Sequence, residues 1–179
     1  MKAVLDACVL YPSVLREILI GVAEQGLYTP LWSARILGEW QHATLKLGPE
    51  ATTIASGEIA TLRATWPKAE IPPDAALEAR LWLPDPADAH VLATAVAGAA
   101  DVIVTLNLRD FPRRALAPER LQAQSPDDML MALWLDSPAQ VEQVIRDVQA
   151  RTETLSGRAH PLRPLLKRTR LPRLAKTLG

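Results

Sequence analysis

The 179-residue sequence contains one cysteine, three histidines, few aromatic residues and no net charge. The single cysteine, Cys8, excludes an internal disulfide framework and favours a reducing cytoplasm, and the scattered histidines offer no zinc-binding spacing. No uncharged apolar run approaches the roughly 20 residues of a transmembrane helix. Asp6 interrupts the apolar start of the chain, so we expect neither a signal peptide nor a membrane-bound protein.

The zero net charge conceals an asymmetry along the chain. All 20 acidic residues lie at or before Glu153, and seven of the 20 basic residues follow it, so the body carries −7 and the tail +7. This split predicts a tail that binds RNA or a partner, although a tail that only folds against the acidic body is an equal alternative. The candidate binding residues are Arg163, Lys167, Arg168, Arg170 and Arg173.

Short apolar segments alternate with longer helical patterns, which predicts an α/β fold with a short parallel sheet and helices on both faces. Lys2 to Leu5 is predicted as a strand, and residues 102–105 as a central strand buried on both faces. Residues 27–30 predict a brief edge strand because Pro30 cannot donate to a neighbour. A last short strand is predicted at residues 121–123.

Serines before helical patterns predict helix starts at Ser13, Ser33 and Ser125, and the segment from Cys8 to Pro12 reads as a turn. Gly98 is expected to end the helix that begins near Asp88. We expect a domain at residues 1–135, a helix packed on it at 136–156 and a basic, proline-containing tail at 157–179.

Carboxylates stand where these elements meet. Asp6 follows the first strand, Asp110 follows the strand at 102–105, Asp88 begins the helix before that strand, and Glu39 lies on an earlier helix. If the two strands are neighbours, the acids converge at the carboxyl edge of the sheet, where α/β proteins bind ligands. Grouped carboxylates repel one another unless a cation lies among them, and hard oxygen donors favour Mg²⁺ or Mn²⁺.

Four segments, VLDACVLYPS, WSARILGEW, DPADAHVLATA and IVTLNLRDF, occur in an order and spacing that resemble the PIN-domain ribonucleases, and especially the VapC-type toxins. The resemblance covers about residues 2–130 and implies a three-layer PIN-like fold. Asp6, Glu39 and Asp88 match the first three acids of that family. Many relatives carry a fourth acid at the position of Asn107, whereas others use the position of Asp110.

The resemblance implies an endoribonuclease that needs Mg²⁺ or Mn²⁺. Asp6 and Asp88 would bind the metal directly, Glu39 would bind it or orient water, and Asp110 would complete a second site or act through water. The supporting residues would be Thr105, Asn107 and Asp85, the last of which is more typical of a helix cap than of a ligand. A toxin also implies a cognate antitoxin, and relatives commonly form homodimers.

Other interpretations remain beside this one. Asn107 permits a PIN-like module that binds RNA or a partner without cutting it. A phospho-acceptor receiver domain is disfavoured, because this sequence shows neither the Asp after the third strand nor the Lys after the fifth strand that such a domain needs. His90 is interpreted as structural, and Cys8 as a small buried residue and not a nucleophile. The five tryptophans are predicted to serve the core or an interface and not base stacking.

Overall fold

A computed structural model describes all of residues 1–179 and confirms the α/β fold. Four strands form one sheet in the order β2-β1-β3-β4, and each neighbouring pair is parallel. They are β1 (Lys2–Leu5), β2 (Thr29–Leu31), β3 (Val102–Val104) and β4 (Gln122–Gln124). The edge position of β2 agrees with Pro30, which lacks a backbone N–H.

The two central strands, β1 and β3, set the position of the candidate site. Residues 3–5 and 102–104 are at most 2% exposed, so both faces of the sheet are covered there, as predicted. Leu5 pairs with Val104, and the backbone N–H of Asp6 donates to the carbonyl of Val104 over 3.1 Å. Asp6 and Thr105 therefore leave neighbouring strands at the same edge of the sheet.

Eleven α-helices and several single 3₁₀ turns connect these strands, and none of the helices has the length and apolar character needed to cross a membrane. The helices are α1 (Ala7–Leu10), α2 (Ser13–Glu24), α3 (Ala34–Thr44), α4 (Pro49–Thr65), α5 (Ala75–Arg80), α6 (Ala89–Ala97), α7 (Arg113–Leu116), α8 (Pro126–Asp136), α9 (Pro138–Ser156), α10 (Leu162–Arg168) and α11 (Pro172–Leu178).

Side-chain caps explain several helix starts. The hydroxyl of Ser33 accepts from the N–H of Ile36 over 3.2 Å, and that of Ser125 accepts from the N–H of Asp128 over 3.1 Å, as predicted. The helix start predicted at Ser13 is confirmed, but its role as the cap is wrong, because Ser13 is already helical and Pro12 holds the cap position without a side-chain hydrogen bond.

The turn expected from Cys8 to Pro12 is also wrong, because residues 7–10 form α1. Asp6 occupies its cap position, and the carbonyl of Asp6 accepts from the N–H groups of Val9 and Leu10. A helix of four residues is too short to show a repeating pattern of apolar residues, so it cannot be recognised from the sequence.

The chain forms two compact units, and the first contains residues 1–11 and 29–124. In this unit α6 packs on β1 and β3, and α7 packs on β4. Helix α6 ends at Gly98, as predicted, and a Cβ atom there would lie 2.9 Å from Cδ1 of Leu31. Glycine thus fits the close approach of α6 to β2, where a Cβ atom would displace the side chain of Leu31.

The second unit contains residues 12–28 and 125–179. Helix α2 packs on α9, whose buried residues are Val141, Val144, Ile145 and Val148. A Cβ atom at Gly21 would lie 2.7 Å from Cγ1 of Val144, so glycine permits this close packing. The proposed boundaries at 135 and 156 stay a prediction.

The basic C-terminal segment is folded within the second unit. Helices α10 and α11 bury Leu165, Leu166 and Leu174. The carboxylate of Asp127, which is 4% exposed, accepts from the N–H groups of Arg173 and Leu174 over 2.8 and 3.2 Å. The guanidinium of Arg173 also pairs with Asp128, whose pKa is lowered by the Ser125 hydroxyl and then by Arg173. This segment therefore folds against acidic residues of α8.

Candidate active site

The sequence-predicted acids lie in the first unit, on elements that meet at the carboxyl edge of the sheet. Asp6 directly follows β1, and Asp88 ends the 3₁₀ turn Pro86–Asp88 that leads into α6. Glu39 lies in the middle of α3, and Asp110 ends a second 3₁₀ turn beyond β3. Glu39 is exposed by 42%, whereas Asp6 is only 6% exposed.

Hydrogen bonds fix the carboxylate of Asp6 through one oxygen. The hydroxyl of Thr105 donates to Oδ2 of Asp6 over 2.7 Å, and Sγ of Cys8 donates to the same oxygen over 3.1 Å. The N–H of Asn107 donates to Oγ1 of Thr105 over 3.0 Å, and that of Leu106 donates to Sγ of Cys8 over 3.2 Å. The loop after β3 therefore orients the acid after β1.

The Cys8 thiol acts in this network as a hydrogen-bond donor. Burial and, next, the neighbouring Asp6 carboxylate raise the pKa of Cys8 to about 12. The thiol consequently stays protonated at neutral pH, and a protonated thiol is a poor nucleophile.

The charge of Asp88 is poorly compensated. Burial is the largest cause that raises the pKa of Asp88 to about 6, followed by repulsion from the carboxylates of Asp6, Asp85 and Asp110. Arg35 opposes the rise only weakly. Asp88 thus lies in a concentration of negative charge that a cation would relieve.

Glu39 belongs to the same group and carries additional contacts. Burial raises the pKa of Glu39, Arg35 opposes the rise, and Asp6 and Asp88 add to it. Nε of Arg35 lies 3.6 Å from Oε1 of Glu39, while the guanidinium donates to Glu78 of α5 over 3.2 Å and to the carbonyl of Ala87 over 3.3 Å. Arg35 therefore connects α3 with α5 and with the turn that carries Asp88.

His90 contacts Glu39 from the first turn of α6. The side chain of His90 is 5% exposed, and its Nε2 lies 2.8 Å from Oε1 of Glu39. Neither ring nitrogen of His90 has a hydrogen bond, so the contact between Nε2 and Oε1 does not have hydrogen-bond geometry. Burial and, next, the charge of Arg35 lower the pKa of His90 to about 4, so the ring is neutral at pH 7. The contact with Glu39 is therefore not an ion pair.

The donor chemistry fits a hard divalent cation, although the side chains do not form a complete coordination sphere. No three His, Cys, Asp or Glu side chains are grouped closely enough to hold a metal ion as they are placed. The raised pKa values of Asp88 and Glu39 nevertheless come in part from carboxylates of the same group, including Asp6. Carboxylate oxygens under mutual repulsion match the ligand preference of Mg²⁺ and Mn²⁺.

The structure thus brings Asp6, Glu39, Asp88 and Asp110 into one electrostatically coupled group. Asp85 acts as a cap, because its Oδ1 accepts from the N–H of Ala87 over 2.9 Å. The candidate binding residues of the basic segment, Arg163, Lys167, Arg168, Arg170 and Arg173, all belong to the second unit.

Sequence reasoning missed Arg35 as a member of the site. The spacing of four residues between Arg35 and Glu39 predicts a helical ion pair, but such pairs are common on exposed helix faces. The contacts of Arg35 with Glu78 and Ala87 depend on tertiary packing, which no local spacing indicates.

The substitution Asp88→Asn is expected to stabilise the metal-free protein at pH 7. The folded-state pKa of about 6 exceeds the unfolded value of 3.8, so the native state binds more protons between these values and stability falls as pH rises through that window. Asn removes the charge, and after allowance for solvent screening the gain is about 1 kcal/mol above pH 6 and nearly absent below pH 4. Urea unfolding in a chelator at both pH values measures this difference.

Asp136→Asn, in the last turn of α8, is the matched control. It removes the same charge outside the group and should change stability by less than about 0.5 kcal/mol. An equal change for Asp88→Asn at pH 4 and pH 7 contradicts the electrostatic explanation.

Parts of the chain resemble known proteins. The model of the PIN domain family matches residues 2–109, which is more than half of the chain. A protein of Mycobacterium tuberculosis with the provisional name ribonuclease VapC50 is 54% identical over 44 residues, which are 25% of this chain and 26% of that protein. The alignment thus covers about a quarter of the relative's length. No solved structure matches the chain.

Proposed function

The chain belongs to the PIN-domain family, and from this premise we propose that it is a divalent-metal-dependent endoribonuclease of the VapC type, the toxin of a toxin–antitoxin pair. The ribonuclease name of the Mycobacterium tuberculosis relative supports the reaction class, hydrolysis of RNA phosphodiester bonds. The observation that carries the proposal is the coupled group of Asp6, Glu39, Asp88 and Asp110 at the carboxyl edge of a parallel sheet.

Asp6 and Asp88 would hold Mg²⁺ or Mn²⁺ directly, with Glu39 or Asp110 as further ligands or as groups that orient water. The bound ion would supply a Lewis acid and a water of lowered pKa. Thr105 and Cys8 keep Oδ2 of Asp6 hydrogen-bonded and thereby set the direction of the carboxylate. Asn107 supports this arrangement through its backbone N–H on Thr105.

Incubation of the purified chain with RNA tests the proposal. Cleavage is expected with Mg²⁺ or Mn²⁺ and should stop when a chelator is added. RNA that stays intact with every metal would overturn the nuclease proposal. If the RNA is nevertheless retained by the protein, the alternative of a non-cutting RNA-binding module, which Asn107 permits, replaces it.

Thr105→Val is expected to lower kcat without a comparable change in KM. Valine keeps the shape of the fully buried Thr105 but removes the donor to Asp6 and the acceptor for the N–H of Asn107. Loss of such a supporting hydrogen bond costs about 10- to 100-fold in metal-site activity. Steady-state cleavage rates measure the effect, and Thr105→Ser should restore most of the activity. Failure of serine to rescue would assign Thr105 a packing role only.

The basic C-terminal segment is proposed to add affinity for RNA or for the antitoxin. Arg163, Lys167 and Arg170 are exposed and form no ion pair, whereas Arg168 donates to His160 and Arg173 pairs with Asp128. Replacing the three exposed residues by Gln should weaken RNA binding. It should also reduce the slope of log affinity against log salt concentration by about 2, because each neutralised phosphate contributes roughly 0.7 to that slope. Filter binding at several salt concentrations measures both quantities.

Arg146→Gln, on an exposed part of α9, is the control for that experiment. Substitution is preferable to truncation at residue 158, because the segment also buries Leu165, Leu166 and Leu174. Unchanged affinity and salt slope in the triple variant would exclude a role of these residues in RNA binding. A cognate antitoxin, a homodimer and the cytoplasmic location stay predictions.

A further inference from the structure

Trp82 differs from the other tryptophans of the chain. Its side chain is 58% exposed, whereas Trp32 and Trp40 are buried and Trp66 and Trp134 are half-buried. Trp82 follows the end of α5 and precedes the turn that carries Asp88. The interpretation of the tryptophans as core or interface residues therefore leaves this indole unexplained.

A cavity of about 480 Å³ lies beside Trp82. This size falls in the range of small-molecule sites, and its walls are mostly apolar. Pro86 and Ala89 lie on either side of Asp88 in the chain, so the cavity shares a wall with the turn that carries this acid. The lining residues are Ala75, Glu78, Ala79, Leu81, Trp82, Leu83, Pro86 and Ala89.

One charged residue in the wall connects the cavity with the acidic group. Glu78 lines the cavity and accepts a hydrogen bond from Arg35 over 3.2 Å. Arg35 in turn contacts Glu39 and the carbonyl of Ala87, next to Asp88. The cavity thus lies next to the candidate active site through two separate connections, the turn at residues 86–89 and the contacts of Arg35.

One face of the Trp82 ring has a cationic partner. The guanidinium carbon of Arg114 lies 5.6 Å from the centre of the indole ring, which is a cation–π contact. Arg114 forms no ion pair with a carboxylate, and its neighbour Arg113 is exposed as well. An aromatic face, an apolar wall and unpaired positive charge are thus combined in one place.

We propose that Trp82 and Arg114 form a subsite for one unpaired nucleotide of the RNA, beside the phosphodiester that is cleaved. The base stacks on the indole and enters the cavity, and a backbone phosphate lies toward Arg114. Proteins bind single-stranded RNA by such aromatic platforms next to positive charge, whereas paired bases are already stacked. This proposal rests on the proposed nuclease function and assigns to Trp82 and Arg114 the contact with one nucleotide of its substrate.

Binding measured in the Asp6→Asn variant, which is expected to cut RNA far more slowly than the wild-type chain, tests the subsite. The probe is a labelled single-stranded RNA of random sequence and about 20 nucleotides, with a duplex of the same length as the comparison. Trp82→Ala in this background should weaken single-strand binding about 5- to 100-fold, and Trp82→Phe should retain most of it. Duplex binding should change little in either variant. Arg114→Gln should weaken binding. It should also reduce the slope of log affinity against log salt concentration by the contribution of about one neutralised phosphate.

Two further readouts separate stacking from folding. RNA should quench the tryptophan fluorescence of the Asp6→Asn protein and leave that of its Trp82→Phe derivative nearly unchanged, because Trp82 is the exposed indole. The unfolding midpoint of Trp82→Ala should match that of the parent, since the side chain is largely in solvent.

The possible failures of the two proposals are distinguishable. If the wild-type chain cleaves RNA with Mg²⁺ but Trp82→Ala binds and cleaves equally well, the subsite is wrong and the nuclease proposal stands. If the substitution leaves RNA binding intact but abolishes binding of a protein partner, the surface is a protein-docking site and the subsite is again wrong. If the wild-type chain neither binds nor cleaves RNA, both proposals fail.

Discussion

Asp6→Asn is expected to lower the rate of RNA cleavage at saturating metal by at least about 100- to 1,000-fold, the cost of removing one preorganised electrostatic group from an active site. Asp6 is the most buried acid of the coupled group, at 6% exposed, and its backbone is fixed by the bond to Val104 and by the cap of α1. Asparagine keeps the shape and can still accept from Thr105 and Cys8, but it removes the negative charge. Single-turnover cleavage of RNA measures the loss.

Asp101→Asn is a matched control for that experiment. Asp101 precedes β3 at the opposite end of the sheet, where its Oδ2 accepts from the N–H of Lys2 over 2.7 Å. The variant should therefore cleave RNA at the wild-type rate. Cleavage by Asp6→Asn at the wild-type rate would remove Asp6 from the site and would also remove the reason to place a metal there.

The loss of activity should come without a loss of stability. Removing one carboxylate from a group of like charges relieves repulsion, and Asp6 is one cause of the raised pKa values of Asp88 and Glu39. Functional sites often retain such destabilising arrangements because catalysis needs them. An unfolding midpoint of Asp6→Asn below that of the wild-type chain would mean that the carboxylate also supports the fold.

The sheet and most of the site could be predicted because they depend on local patterns. A β-branched run such as residues 102–104 is typical of a buried strand, and Asp6 follows the first strand directly. Parallel strands place their carboxyl ends at one edge, so the sequence predicts that the acids after these strands converge if the two strands are neighbours. The caps at Ser33 and Ser125 follow from the same local chemistry.

The remaining features depend on contacts between distant parts of the chain. The turn predicted after Asp6 is a short helix, because its hydrogen bonds to the Asp6 carbonyl outweigh a weak local preference. Helix α2 joins the C-terminal helices in one unit, although more than 100 residues separate α2 from α8. The exposure of Trp82 likewise cannot be derived from its sequence neighbours, since Leu83 beside it is buried.

Trp32→Ala is expected to lower the free energy of unfolding by about 3–5 kcal/mol, the cost of truncating a large buried aromatic residue. Trp32 is fully buried at the end of β2, and its backbone bonds to Ala69 and Ile71 extend the edge of the sheet. It also directly precedes Ser33, the cap of the helix that carries Glu39. The cavity left by alanine would thus affect both the core and the support of the site.

Trp32→Phe provides the comparison that tests this explanation. The indole Nε1 of Trp32 has no hydrogen-bond partner in the protein, so phenylalanine loses packing volume but no hydrogen bond and removes a buried unpaired donor. We expect it to cost about 1–2 kcal/mol, at least about 1 kcal/mol less than alanine, in urea unfolding at pH 7. Equal destabilisation by both substitutions would contradict the packing argument, because it would require the indole N–H to carry most of the stabilisation.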